Sequence, residues 1–382
     1  MRRFVGLVLV GTLALGGCGG SEDDPESAPP AYRVTPTCPH VDHDLQGLTV
    51  DGLNRIVTNA ELPAWKAADI GASTQLRDGR MVWVFGDTVR SADFTPRLVA
   101  NSMLVSDGPC VAQLRTADDG PVIPDVRDGV VHWPMSVAAM PPARQYADLG
   151  IDEVLVVMAG RIRRGYADSL DFQFLGTSAA VFAFSDGGAP QLLEVMDVTP
   201  DSEEADQVNW GAAATVFGRW FYVFGTRNTG QDFGRELYVG RAAVSDPADR
   251  SRWQFWDGQR WQADLDQSAA VLPAQGGVSQ TLSVDRIDGK WVAVSKRDGD
   301  LGDFVYVWTA PEPYGPWTPQ KGIAAPAGFD TGELKYAPLA HPEVPLADGN
   351  LLVSISRNTT DPQQLFADPE VGLPEFAEVP MP

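Results

Sequence analysis

The sequence predicts an all-β protein built as a five-bladed β-propeller, and three observations carry that prediction. No stretch of the body sustains a helical period. Five times a turn signal leads into an apolar strand that ends at a polar or charged residue. The markers Gly79, Asp152, Gly218, Gly289 and Gly349 lie 73, 66, 71 and 60 residues apart. A near-constant period of β-rich units with glycine turns is the mark of radial repetition, and about 70 residues suffice for a four-stranded blade and its connections.

The units read in order. Arg77-Asp78-Gly79-Arg80 turns into Met81–Phe85 and ends at Gly86-Asp87-Thr88; Ile151–Met158 ends at Arg161; Phe217-Gly218-Arg219 turns into Trp220–Phe224 and ends at Gly225-Thr226-Arg227. Ile287-Asp288-Gly289-Lys290 then turns into Trp291–Ser295 and ends at Lys296-Arg297, and Ala347-Asp348-Gly349-Asn350 into Leu351–Ile355, ending at Ser356-Arg357-Asn358. Each strand is continuously apolar, as a strand covered on both faces must be. Eleven Trp suit the wide wedges between blades. The second unit lacks an Asp-Gly turn and is the least regular. No linker interrupts residues 38–382, which are read as one propeller domain.

Ahead of the body, Arg2 and Arg3 precede an apolar run over Phe4–Leu15, too short to span a bilayer and matching a signal-peptide core. It ends in Leu15-Gly16-Gly17-Cys18, which resembles a bacterial lipobox. The expectation is a signal peptide over 1–17, lipidation at Cys18, a flexible tether over 18–37, and an exported protein anchored by lipid to a bacterial membrane, at the cell surface or in the periplasm. The remaining cysteines, Cys38 and Cys110, are expected to pair.

Acidic residues outnumber basic ones 51 to 29, a net charge of −22, which excludes nucleic acid as a partner. No Gly-x-Ser-x-Gly elbow, His-Glu-x-x-His site or phosphate loop is present. No cofactor is expected; the acidic loops Asp201–Asp206 and Asp298–Asp303 carry the oxygen donors of a structural Ca²⁺ site, although solvated loops have the same composition. A monomer is expected.

Corresponding strand ends of a propeller gather at one mouth of the central channel. Equivalent exits would bring Asp87, Arg161, Arg227, Lys296 or Arg297, and Arg357 or Asn358 to one polar funnel. Within the first unit, Asp69 and Asp87 flank the Asp78-Gly79 turn. A three-residue loop at 77–79 sets them opposite each other on one face, and a two-residue loop puts them on opposite faces. Paired carboxylates are what glycoside hydrolysis requires, one to protonate the leaving oxygen and one to attack or to activate water. Two Asp near a turn also cap backbone amides in purely structural roles.

Asp69-Ile70-Gly71 with Phe85-Gly86-Asp87-Thr88 resembles the first-blade signature of a family of secreted bacterial five-bladed propellers, long labelled only as of unknown function, that includes endo-D-arabinanases. Further similar segments are Asn101-Ser102 with Ser106-Asp107-Gly108, Asn209-Trp210-Gly211, Tyr222–Arg227, Trp253–Trp261, Ala310–Trp317, and Tyr336 with His341-Pro342-Glu343. The resemblance implies a catalytic pair at Asp69 and Asp87, sugar contacts at Asn101, Trp210, Arg227, Gln280, Tyr336 and His341, and Glu343 as a reserve acid. It implies a glycoside hydrolase acting on a furanose-containing polysaccharide of arabinan type. Two alternatives stand beside it: a carbohydrate-binding propeller lipoprotein without catalysis, and a lyase or sialidase-like propeller, the latter with Arg161, Arg227 and Arg357 as its arginine cluster.

Overall fold

A computed structural model describes residues 32–37, 48–165 and 171–382. The signal peptide, Cys18, the tether up to residue 31 and Cys38 lie outside the described residues. Five antiparallel sheets follow one another along the chain, and they are the blades of a five-bladed β-propeller. Each blade starts with an inner strand: Ala67–Gln75, Val130–Met140, Asn209–Phe217, Ser283–Ile287 and Glu333–Ala340. Residues from all five surround a cavity of about 130 Å³ on the propeller axis.

The apolar runs singled out in the sequence are the second strands, Met81–Val89, Glu153–Arg164, Trp220–Arg227, Lys290–Lys296 and Leu351–Thr359. Their alternation serves two interfaces at once. In blade 3, Phe221 and Val223 pack against Val156 and Met158 of blade 2, whereas Tyr222 and Phe224 pack against Trp291 and Ala293 of blade 4. Burial on both faces removes the need for a polar alternate position, so the strand reads as continuously apolar. Separate apolar clusters fill the blade 1–2, 2–3, 3–4 and 4–5 wedges.

The ring closes through a helix. Blade 5 has three strands, the last being Glu375–Val379. The helix Val50–Asn59, capped by the Thr49 side chain, lies along that edge. Asn54 stands in for a missing strand there: its Nδ2 donates to Phe376 O at 3.0 Å and its Oδ1 accepts from Phe376 N at 2.8 Å. Leu53 and Val57 join Met81, Leu352 and Phe376 in the blade 5–1 wedge.

One expectation changes. Arg33–Thr37, read as the end of the tether, is the outermost strand of blade 1, paired with Cys110–Arg115 in a register that sets Thr37 opposite Val111. Tyr32 and Val34 pack on the blade 1–2 cluster, a two-residue apolar signal too short to stand out in the sequence. Cys110 is disulfide-bonded. The irregular second unit has the long strands Val130–Met140, Glu153–Arg164 and Phe172–Phe184, and it turns through a 3-10 helix, Arg144–Leu149, ended by Gly150 at φ 65° in place of an Asp-Gly hairpin.

Candidate active site

The first hairpin takes the register of the three-residue loop. Gln75 faces Met81, and Leu76 N donates to Arg80 O at 2.7 Å. That register brings Asp69 level with Asp87, between the pairs Ala68–Thr88 and Ile70–Phe85. Pairing is irregular on both sides of Ile70, which has φ 70°, followed by Gly71 at φ 77°. Bulges of this kind re-aim side chains at the ends of strands. Gly86 makes room for the result, because a Cβ there would lie 2.4 Å from Asp69 Oδ1.

Asp69 and Asp87 line one wall of a cavity of about 620 Å³ at the mouth of the channel. Their surroundings differ. Asp87 accepts from Trp133 Nε1 at 2.8 Å and from Arg164, whose Nη1 reaches Oδ2 at 3.0 Å while Nη2 bonds Oδ1. The Arg164 guanidinium also lies 5.6 Å from the Trp133 ring centroid. Asp69 has no cation within bonding distance among the described residues; it accepts from the Tyr336 hydroxyl at 2.8 Å, and Tyr336 in turn accepts from Asn358 Nδ2 at 3.4 Å.

Burial raises both carboxyls. At Asp69, burial and then the charge of Asp87 push the pKa up to about 7, against the lowering effects of Tyr336 and Arg164. At Asp87 burial also raises it, but Arg164 and Trp133 oppose by favouring the ionised form. Two interacting acids share their titration, and the one held by a cation ionises first. The arrangement can therefore present a proton on Asp69 beside a negative charge on Asp87. Tyr336 stays a neutral donor, its phenol held well above the usual range by burial and by Asp69.

The structure separates the remaining sequence candidates. Tyr336 and Gln280 line the cavity, Gln280 Oε1 accepting from Arg235 at 3.1 Å. Asn101 is buried outside it, donating to Ile123 O and His132 O and accepting from Ile123 N. Trp210 is buried with its ring 4.8 Å from that of Phe255, filling the wedge between blades 2 and 3. Arg227 pairs with Glu236 at 2.8 Å and does not reach the cavity. His341 is wholly buried outside the cavity, its two ring nitrogens each 2.7 Å from a hydroxyl, of Ser73 and of Ser354, so it is no sugar contact. Glu343 stands apart from Asp69 and Asp87, on the axial cavity, where burial raises its carboxyl, and where burial and then the charge of Glu343 raise that of Asp285.

The convergence of the strand exits is partial. Asp87, Arg357 and Asn358 line the cavity. Arg161 is buried and bound to Asp197 and Asp201, Lys296 is buried against the carbonyls of Asp300 and Lys335, and Arg297 lies over Tyr306. With Arg161 and Arg227 consumed by ion pairs, the arginine cluster of the sialidase-like alternative does not assemble. In the acidic loops, Asp201 binds Arg161 and Arg127, and Asp298 Oδ1 accepts from Gly276 N. Among the described residues, no group of three or more His, Cys, Asp or Glu is placed to hold a metal ion.

Arg164 and Trp133 were not singled out from the sequence. The signal for Arg164 was the Arg161-Ile162-Arg163-Arg164 run, in which strand alternation sets Arg161 and Arg164 on opposite faces of blade 2.

The profile of the family described as Domain of unknown function (DUF5005) matches residues 53–379, and the chain belongs to that family. No curated protein sequence matches the chain. Among solved structures, a Bacteroides ovatus protein provisionally described as a hydrolase aligns with a TM-score of 0.64 at 17% identity, over 86% of this chain and 88% of that one, and it shares the fold. An α-L-arabinofuranosidase from Podospora anserina in complex with cellotriose aligns at TM-score 0.44 and 13% identity, over 93% of this chain and 98% of that one. An exo-β-1,3-galactanase from Phanerochaete chrysosporium aligns at TM-score 0.45 and 11% identity, over 84% of this chain and 61% of its own length.

Proposed function

We propose that this member of the DUF5005 family is a glycoside hydrolase with Asp69 as the general acid and Asp87 as the second carboxylate, cleaving a furanose-containing polysaccharide of arabinan type. The observation that carries the reading is the unlike environment of two carboxyls set level across one hairpin: Asp87 clamped by Arg164 and Trp133, Asp69 raised to about 7 beside it. In glycoside hydrolysis one carboxyl gives its proton to the leaving glycosidic oxygen, while the other attacks the anomeric carbon or takes a proton from an attacking water. Asp69 has the proton affinity for the first task and Asp87 the stabilised charge for the second. Tyr336 holds Asp69 towards the cavity and accommodates its charge once the proton has left.

The cavity supports a sugar ligand. Trp133 and Phe172 stand together on its blade 2 side, ring centroids 4.9 Å apart, offering aromatic surface to a sugar ring. The Cys18 lipobox supports a protein held at a membrane by lipid, acting on extracellular or periplasmic polymer.

The test is release of reducing ends by the purified protein from D-arabinan, L-arabinan, fructan and a mixed glycan panel, with Asp87→Asn as control. Release from one polymer that disappears in the variant supports the hydrolase and names its substrate class. Absence of release from all of them, with wild type and variant binding one glycan equally, replaces it with a carbohydrate-binding propeller.

A further inference from the structure

The cavity that holds Asp69 and Asp87 also takes cations from blades 3 and 5. Arg235, Lys335 and Arg357 all line it. Lys335 and Arg357 are direct cross-strand partners, so their side chains leave the same face of blade 5. Like charges placed directly opposite destabilise a sheet. Lys335 is relieved by Glu375. Arg235 is bonded to a neutral group, Gln280 Oε1, with Asp300 the nearest compensating charge. Arg357 makes no ion pair and no side-chain hydrogen bond among the described residues. Behind them the buried Lys296 ammonium donates to the carbonyls of Lys335 and Asp300.

This concentration of cations belongs to a chain of net charge −22, in which arginines elsewhere in the propeller, such as Arg161, Arg227 and Arg163, are ion-paired. An unpaired guanidinium facing a second cation inside a cavity is held against its own repulsion, and an oxyanion arriving there would relieve it. A planar guanidinium binds carboxylate and phosphate in two-point fashion. Apolar residues border the same wall: Leu301 and Phe329 line the cavity and are 47% and 49% exposed, and Phe233, next to the loop that holds Gly299, is 78% exposed. Such a rim offers stacking surface to the next sugar of a chain.

We propose that Arg357, with Lys335 and Arg235, forms an oxyanion subsite, and that the glycan taken by this cavity carries an acidic substituent, a uronate carboxylate or a phosphate ester, on a sugar bound in the same cavity as Asp69 and Asp87. This names the substrate class of the site and rests on the reading that the cavity binds glycans; it does not depend on turnover.

The test is titration calorimetry of the full chain with two matched pairs: a uronate-containing oligosaccharide against its carboxyl-reduced counterpart, and a phosphate-ester oligosaccharide against its dephosphorylated counterpart. Wild type is expected to bind the acidic member of one pair at least about tenfold tighter, with the pair that shows the preference identifying the oxyanion. The preference is expected to fall towards unity in Arg357→Gln, to persist in part in Arg357→Lys, and to shrink with added salt in wild type. Equal binding of acidic and neutral members by wild type, no binding of any member, or a preference unchanged in Arg357→Gln would overturn the proposal. The wild-type comparison and its salt dependence stand even if a variant fails to fold. Preference for the acidic member without reducing-end release from any glycan would sink the hydrolase and leave the subsite; release from neutral polymers with no acidic preference would do the reverse.

Discussion

The Tyr336 hydroxyl donates to Asp69 Oδ2 at 2.8 Å, joining residues 267 positions apart in the chain. Tyr336 belongs to the inner strand of the last blade and Asp69 to that of the first, so the contact spans the seam where the ring closes. Ile70 N donates to Ser356 Oγ at 2.9 Å across the same seam. The position of the proposed acid is therefore tied to closure of the propeller, and ring closure and acid placement are one structural event.

Asp69→Asn and Asp87→Asn are each expected to lower hydrolysis of polysaccharide by about 10³-fold. Their difference identifies the acid. An aryl glycoside with a good leaving group needs no proton, so Asp69→Asn should recover most of its activity on that substrate while Asp87→Asn stays inactive. Equal loss on both substrates would reverse or abolish the role assignment.

The pH profile should fall on the alkaline side near pH 7, where Asp69 loses its proton. The same shift bears on stability. A folded pKa of about 7 against 3.8 unfolded means that the native state holds the extra proton between these values, so stability falls as pH rises through that window and the full penalty is present above it. Asp69→Asn removes the penalty. Because the site is open to water, urea unfolding at pH 8 should show the variant more stable by about 1–3 kcal/mol, with the gain vanishing below pH 4.

Removing the clamp on Asp87 moves the acidic limb. Arg164→Gln should shift the rise of kcat/KM towards higher pH by about 1–2 units, since the cation that favours ionised Asp87 is gone. A lower plateau with an unmoved limb would make Arg164 a packing residue only.

Gly86→Ala tests the close approach beneath Asp69. The added methyl meets Oδ1 at 2.4 Å and must displace the carboxylate. Activity is expected to fall about 100-fold, as for a 1 Å misplacement of a reacting group, with a stability loss of only about 1–2 kcal/mol by thermal unfolding.

His341 is expected to act in folding and not in chemistry. Burial lowers its pKa to about 3 from 6.5, so the unfolded chain binds the extra proton and stability falls as pH drops from about 6.5 to about 3. His341→Gln should cost about 2–4 kcal/mol at neutral pH by leaving the Ser73 and Ser354 hydroxyls poorly paired, and should flatten that acid limb.

What the sequence determined by itself was local. A strand buried on both faces writes its burial into consecutive residues, so five apolar runs at a near-constant spacing disclosed five blades. The Asp69–Asp87 pair was legible only as two acids flanking one hairpin; whether they stand level turned on the loop length, which the structure decided. Tertiary structure decided the rest. Which end-of-strand cations face the cavity depends on how blade 2 packs between its neighbours: alternation sends Arg161 to Asp197 and Asp201 and Arg164, on the other face, to Asp87. Trp210 and Asn101, plausible as sugar contacts, went instead to a wedge and to a buried backbone contact, because the space between blades needs large side chains and paired amides whatever the ligand. The partners of Asp87 and Asp69 lie 46, 77 and 267 residues away, on blades 2 and 5. Proton affinity at the pair follows from those distant charges and from burial, and a sequence records neither until the blades pack.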